Sequence, residues 1–195
     1  MQSVEKEVEV NAPIRAVYDQ WTQFEDFPRF MPPVKSVTQI DDTHVHFNAR
    51  FWGGFDQEWD AEITEQEPDK RISWRSTTGT RNAGTVRFYP VEGNRTRVRL
   101  TMAYDPEGVV ENLGDKLGIL STQVQQAVEG FKHFIEGRGD ATGAWRGQVH
   151  GSQAVGQAVG QAGDATRGTG LVAGQDPWEQ QPGSTNAPAV TQRIN

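Results

Sequence analysis

The sequence predicts an α+β fold: seven antiparallel strands packed against one long C-terminal helix. Three observations predict it. Between Asp105 and Glu136, apolar residues recur at spacings of three and four, from Val109 through Leu113, Leu117, Leu120 and Val124 to Phe131 and Ile135. That is a single apolar stripe on a helix, and about thirty residues at ~1.5 Å each cross a whole small domain. Upstream, six segments alternate apolar and polar residues and are joined by short turns, as in an antiparallel meander. Ahead of them stand one more strand and two short helical segments.

Taken in order, Ser3 to Val10 alternates Val4, Lys6, Val8 and Val10 against Glu5, Glu7 and Glu9, a half-buried strand. Asn11-Ala12-Pro13 opens a short helix with Ile14, Val17, Tyr18 and Trp21 on one face. Phe24, Phe27, Phe30 and Met31 continue at helical spacing until Pro32-Pro33 stops the segment. Val34 to Ile40 is the second strand, and His44 to Trp52 the third, with Val45, Phe47, Ala49 and Phe51 on one face. Gly53-Gly54 is a two-residue hairpin turn into Phe55 to Gln66. Pro68-Asp69 turns into a strand with Ile72, Trp74 and Ser76 on one face. A loose connection over 77–82 leads to Val86 and Phe88, and Gly93-Asn94 turns into Thr96 to Tyr104.

The long helix is predicted to start at Asp105-Pro106, an N-cap acid before a proline. Gly114, Gly118 and Gly130 are soft spots in it, read either as close backbone approaches or as a hinge at the mouth of a cavity. Asp115 could cap a second helical segment after a break.

Composition narrows the classes of function. The chain has 195 residues, 35% of them hydrophobic, with mean hydropathy −0.67, enough for one well-buried domain and a polar tail. A net charge of −7 argues against nucleic acid or an anionic membrane as the main partner. The absence of cysteine excludes thiol nucleophiles, zinc–thiolate sites and disulfides. No apolar leader and no run near the ~20 residues of a membrane span is present, so a cytoplasmic protein is expected.

After Glu136, Gly, Ala, Gln, Thr and Pro dominate, and Ala154-Val155-Gly156-Gln157 repeats at once as Ala158-Val159-Gly160-Gln161. A domain over residues 1–147 and a disordered tail over 148–195 follow from this change. Trp145, alone among small residues in Gly143-Ala144-Trp145-Arg146-Gly147, is expected to dock back onto the domain; Trp178 is a second aromatic of the same kind.

His44 and His46 share one strand face, but a metal site needs further ligands and no third His lies nearby in sequence; a solvated outer face is expected and no metal site is assigned. No phosphate loop and no Ser/His/acid arrangement is present, so no catalytic residue and no cofactor is assigned.

Three patches resemble a known family: Phe27-Pro28-Arg29-Phe30-Met31 with Val34, Glu58-Trp59-Asp60-Ala61-Glu62-Ile63, and Ile72-Ser73-Trp74-Arg75-Ser76. With Gly143 to Gly147 and the element order, they look like the START, Bet v 1 and polyketide cyclase superfamily, in its bacterial polyketide cyclase/dehydrase or coenzyme Q-binding branch. The resemblance implies a helix-grip fold, in which a curved sheet wraps the long helix. It would place Glu5, Glu7 and Glu9 beside Arg95, Arg97 and Arg99, and Glu58, Asp60 and Glu62 beside Arg71 and Arg75.

By strand parity the concave face carries Phe47, Phe51, Gln57, Trp59 and Trp74, then Ser76, Phe88, Met102 and Tyr104. Leu113, Leu117 and Leu120 would close the space from the helix. Lys6 and Glu65 are the titratable groups near that face, unless a β-bulge flips the parity and brings Glu58, Asp60 or Arg75 inside. The expected function is non-catalytic binding or transport of an apolar small molecule such as a quinone, polyketide or lipid. The alternatives are a polyketide aromatase/cyclase or dehydratase, and an interaction module that uses the tail.

Overall fold

The computed structural model describes residues 2–50, 56–104, 116–151 and 153–155. Phe51, Gly53-Gly54, Asp105-Pro106, Val109, Leu113, Gly114, Asp115, most of the Ala-Val-Gly-Gln repeat and Trp178 lie outside the described residues.

β1 (Gln2–Val10) is followed by helix α1 (Ile14–Trp21) and a 3-10 helix (Phe24–Arg29). The meander is β2 (Val34–Gln39), β3 (His44–Arg50), β4 (Asp56–Glu67), β5 (Arg71–Ser76), β6 (Asn82–Val91) and β7 (Arg95–Tyr104). Helix α2 (Lys116–Arg138) follows, then two short strands, β8 (Gln148–His150) and β9 (Gln153–Val155). The main path of the antiparallel sheet runs β1-β7-β6-β5-β4-β3-β2, so the first strand closes beside the last strand of the meander. This is the helix-grip arrangement. No helix among the described residues is long and apolar enough to cross a membrane.

α2 is held by its stripe. Leu120, Val124, Val128, Phe131 and Ile135 are all buried, spaced to face the sheet. Its C-terminal half is tied to the start of the chain, where Lys132 Nζ donates to the Glu9 carbonyl at 2.7 Å and the Asn11 N–H donates to Glu136 at 2.6 Å. The helix runs to Arg138, and Gly139 then takes φ +84°, so that its N–H reaches back to the Ile135 carbonyl at 2.9 Å. At Gly130 an added Cβ would stand 2.1 Å from the Phe30 carbonyl oxygen, so that glycine serves a close backbone approach. Around Trp21 the rings of Phe27, Phe30, Phe88 and Phe131 converge with centroids 5.1 to 6.4 Å away, which forms the packed half of the interior.

On the outer face of β1 and β7 the charged residues pair as their alternation requires. Glu7 stands opposite Arg99, and Glu9 opposite Arg97. Arg97 bridges Glu7 at 3.2 Å and Glu9 at 2.9 Å, while Arg95 reaches Glu9 at 3.0 Å. On β4 the expected pairing holds only for Glu62, which meets Arg75 at 2.9 Å. Glu58 accepts from Asn48, and Asp60 pairs with His46 at 2.8 Å. Arg71 turns instead to Glu65 and Glu67.

That difference has a local cause. The β4–β5 register shifts between Ile63 and Glu65, so the two strands do not keep one parity along their length. Glu65 and Gln66 are consequently both buried, while Glu58, Asp60 and Arg75 stay outside.

Strand pairing also continues past the boundary expected at residue 147. Val149 and His150 pair with Gln66 and Glu65, where β3 no longer covers β4, and β9 pairs with β8. Among the described residues nine strands result where the sequence showed seven. A three-residue strand is too short for periodicity to reveal.

Candidate ligand-binding site

Between α2 and the sheet lies an apolar cavity of about 80 Å³. Its sheet wall consists of Phe47 on β3, Trp59 on β4, Trp74 on β5, and Leu100 and Met102 on β7. Leu120, Gln123, Val124 and Ala127 of α2 form the roof. Trp21 and Phe27 close one end, with Met31, Pro33 and Val34 beside them.

Between β5 and β7 the strand β6 contributes no lining side chain, and the reason is a glycine. Gly84 sits between Trp74 and Met102 in the ladder, and a Cβ there would stand 2.2 Å from the Trp74 ring. The indole therefore lies directly over the Gly84 backbone, a close approach only glycine permits. On the neighbouring strands Phe47 and Trp59 stack at 5.1 Å with planes 4° apart. The result is a wall of flat rings. Trp74 and Met102 are both half-buried.

Electrostatically the cavity is quiet. Among the described residues no ionisable side chain lines it, and Gln123 and the three tryptophans are the lining side chains that carry a hydrogen-bonding atom. Asp60, Glu62 and Arg75 spend their charge on the convex face. A His/acid grouping with metal-like spacing, Glu65, Glu67 and His150, lies on β4 and β8 rather than at the cavity, and Arg71 already neutralises both of its carboxylates.

Of the residues expected to line the site, Phe47, Trp59, Trp74, Met102 and Leu120 come together around the cavity. Five others do not line it. Phe88 is buried in the packed half, edge-on to Tyr18 at 5.5 Å. The Tyr104 hydroxyl donates to Gln2 Oε1 at 2.8 Å, and Ser76 Oγ accepts from the Asn82 N–H at 3.0 Å. Gln57 Oε1 accepts from the Thr80 hydroxyl at 3.1 Å, and Leu117 is 42% exposed at the start of α2. Parity identifies the face of a strand but not the level along it, and Gln57, Ser76, Phe88 and Tyr104 make their contacts away from the described cavity lining. Phe51 and Leu113 lie outside the described residues. Sequence reasoning missed the end wall, although Trp21 and Phe27 stand in the apolar periodicity of the two short helical segments. It also missed Gln123, whose polarity hid it.

The segment after α2 braces the end wall from outside. The Thr142 N–H donates to Gln20 Oε1 at 2.9 Å, and the Trp145 N–H donates to Thr22 Oγ1 at 2.9 Å. Trp145 packs against the core, and its ring lies over Gly147, where a Cβ would stand at 2.5 Å. Arg146 bridges Asp19 at 2.5 Å and Asp69 at 2.6 Å, with its guanidinium 5.4 Å from the Tyr18 ring centroid. The Asp69 hydrogen bond raises the pKa of Arg146 further, and burial pushes the Tyr18 hydroxyl up to about 12.

Residues 10–132 match the profile of the family described as polyketide cyclase/dehydrase and lipid transport. The chain belongs to that family. An uncharacterized 17.2 kDa protein of Streptomyces lincolnensis is 45% identical over 150 residues, 76% of this chain and 99% of that protein. A solved structure from Deinococcus radiodurans is 28% identical with TM-score 0.55, covering 69% of this chain and 98% of the other. The di-domain aromatase/cyclase BexL is 25% identical with TM-score 0.54, covering 70% of this chain and 47% of that protein. Within the polyketide cyclase/dehydrase family, then, this chain has the START-like fold of a hydrophobic-ligand binder.

Proposed function

We propose that this protein binds and carries an apolar, aromatic small molecule in the cavity between α2 and the sheet, without transforming it. The observation that carries the reading is the lining: among the described residues it is stacked aromatic rings and aliphatic side chains with no ionisable group. General acid–base catalysis needs a tuned acid or base within hydrogen-bond reach of the substrate, and the described lining offers none. A carrier needs apolar area and a few polar contacts.

The similarity to BexL favours a second reading, an aromatase/cyclase acting on a polyketide chain. In that case the apolar wall would fold the substrate, and the described part of the cavity would contribute shape rather than proton transfer.

The test is a titration of the full chain with a panel of quinones, fatty acids and aromatic polyketides, read by quenching of tryptophan fluorescence. Trp21, Trp59 and Trp74 all line the cavity. Saturable quenching that is lost in Ala127→Phe, with the ligand recovered unchanged, supports the carrier. Conversion of a polyketide on incubation supports the enzyme instead. No saturation by any member of the panel overturns both.

A further inference from the structure

We infer that Thr142, on the segment after α2, sets how long a ligand the cavity accepts by locking the rings of its end wall; this rests on the cavity being the binding site. Trp21 at the end of α1 and Phe27 in the 3-10 helix form that wall, and their rings meet edge-on at 5.5 Å. Thr142 bridges the two elements that carry them. Its N–H donates to Gln20 Oε1 at 2.9 Å, its hydroxyl oxygen accepts from Gln20 Nε2 at 3.2 Å, and the hydroxyl donates to Asp26 Oδ2. Gln20 Nε2 also donates to Asp26 Oδ2 at 3.1 Å, which closes a triangle of side chains. Gln20 immediately precedes Trp21, and Asp26 immediately precedes Phe27. Each ring is thus tied through the residue beside it.

Thr142 is exposed, whereas Gln20 is fully buried, so a surface residue completes the hydrogen bonding of an interior amide. On the other side of Trp21, Thr22 Oγ1 accepts from the Trp145 N–H at 2.9 Å. Apolar packing of the rings has no direction of its own, so these hydrogen bonds fix the spacing between α1 and the 3-10 helix. That spacing bears on ligand size. The space is about 80 Å³, against ~150 Å³ for an apolar cavity that takes up benzene, so a ring that enters displaces a wall. The wall that yields decides how far the ligand extends. With Thr142 in place the end wall holds. Without its hydroxyl α1 and the 3-10 helix part more easily, and the space lengthens between Trp21 and Phe27.

The experiment compares the full chain with Thr142→Val, which removes the hydroxyl at nearly constant shape, and Thr142→Ser, which keeps it. One readout is the indole N–H resonance of Trp21 in heteronuclear NMR. The other is the ratio of dissociation constants for naphthalene and anthracene, flat hydrocarbons that differ by one ring. In Thr142→Val the Trp21 resonance is expected to shift while those of Trp59 and Trp74 stay, and the ratio to move about fivefold in favour of anthracene. Thr142→Ser is expected to match the wild type in both. An unchanged ratio in Thr142→Val, or an equal change in Thr142→Ser, overturns the inference and leaves the carrier standing. Binding of neither hydrocarbon by any of the three proteins overturns the carrier and the inference together.

Discussion

The Trp74 indole lies on Gly84 so closely that a single added methyl group would stand 2.2 Å from the ring. One contact between adjacent strands thus decides both the wall and the width of the cavity. Gly84→Ala pushes the ring into the space below α2. The expected outcome is a loss of stability of about 1–3 kcal/mol from overpacking, with ligand binding weakened more than the melting temperature suggests. Thermal melts and a titration on the same sample check both parts.

Arg146 holds two carboxylates at once, and Asp19 is 8% exposed. Arg146→Ala leaves Asp19 almost buried with only the longer Arg15 bridge at 3.8 Å, an expected cost of about 2–3 kcal/mol in denaturant unfolding. Trp145→Ala removes the neighbouring anchor and also destabilises. If both variants melt with the wild type, the segment after α2 does not brace the domain.

The β1–β7 ladder sets register by alternating charge. Arg97→Glu would put a third acid between Glu7 and Glu9, whereas Arg138 lies only over the Phe134 ring at 5.7 Å. Arg97→Glu is therefore expected to lower the melting temperature more than Arg138→Glu. Equal shifts would remove the argument from register.

Asp41 gives a pH signature. Backbone N–H donors from Thr43 and His44, together with the His44 ring, hold its pKa at about 2, below the ordinary 3.8. A depressed carboxylate pKa contributes stability that is present above about pH 4 and is lost as pH falls towards 2. Asp41→Asn should therefore melt below the wild type at pH 5, and the gap should close near pH 2. A gap independent of pH would assign the effect to shape rather than charge.

Most of the architecture was legible because it rests on periodicity. The alternation of Val4, Lys6, Val8 and Val10 and the stripe from Leu120 to Ile135 each fix a face, and the charges of Glu7 and Glu9 fix a neighbour. Periodicity says nothing about level or about single residues out of phase. Phe88 and Tyr104 point to the correct side yet fill core or edge. The register shift beside Glu65, which redirects Arg71, leaves no mark because no glycine or proline stands at Ile63-Thr64-Glu65 to signal a bulge. Gln123 lines the cavity because of its angular position on α2, which a polarity-based reading discards. The bracing by Asp19, Gln20 and Thr22 is invisible until Thr142, Trp145 and Arg146 come over α1.

The central claim is that an aromatic ligand occupies the space between α2 and the sheet, and a crystal structure of the protein soaked with a ligand that saturates the fluorescence signal tests it most directly. The account predicts density for a flat molecule against Trp59, Trp74 and Val124, with Trp74 or Met102 turned outward. Density only on the exposed Leu117 and Ile119 surface, with the interior side chains unmoved, would contradict it.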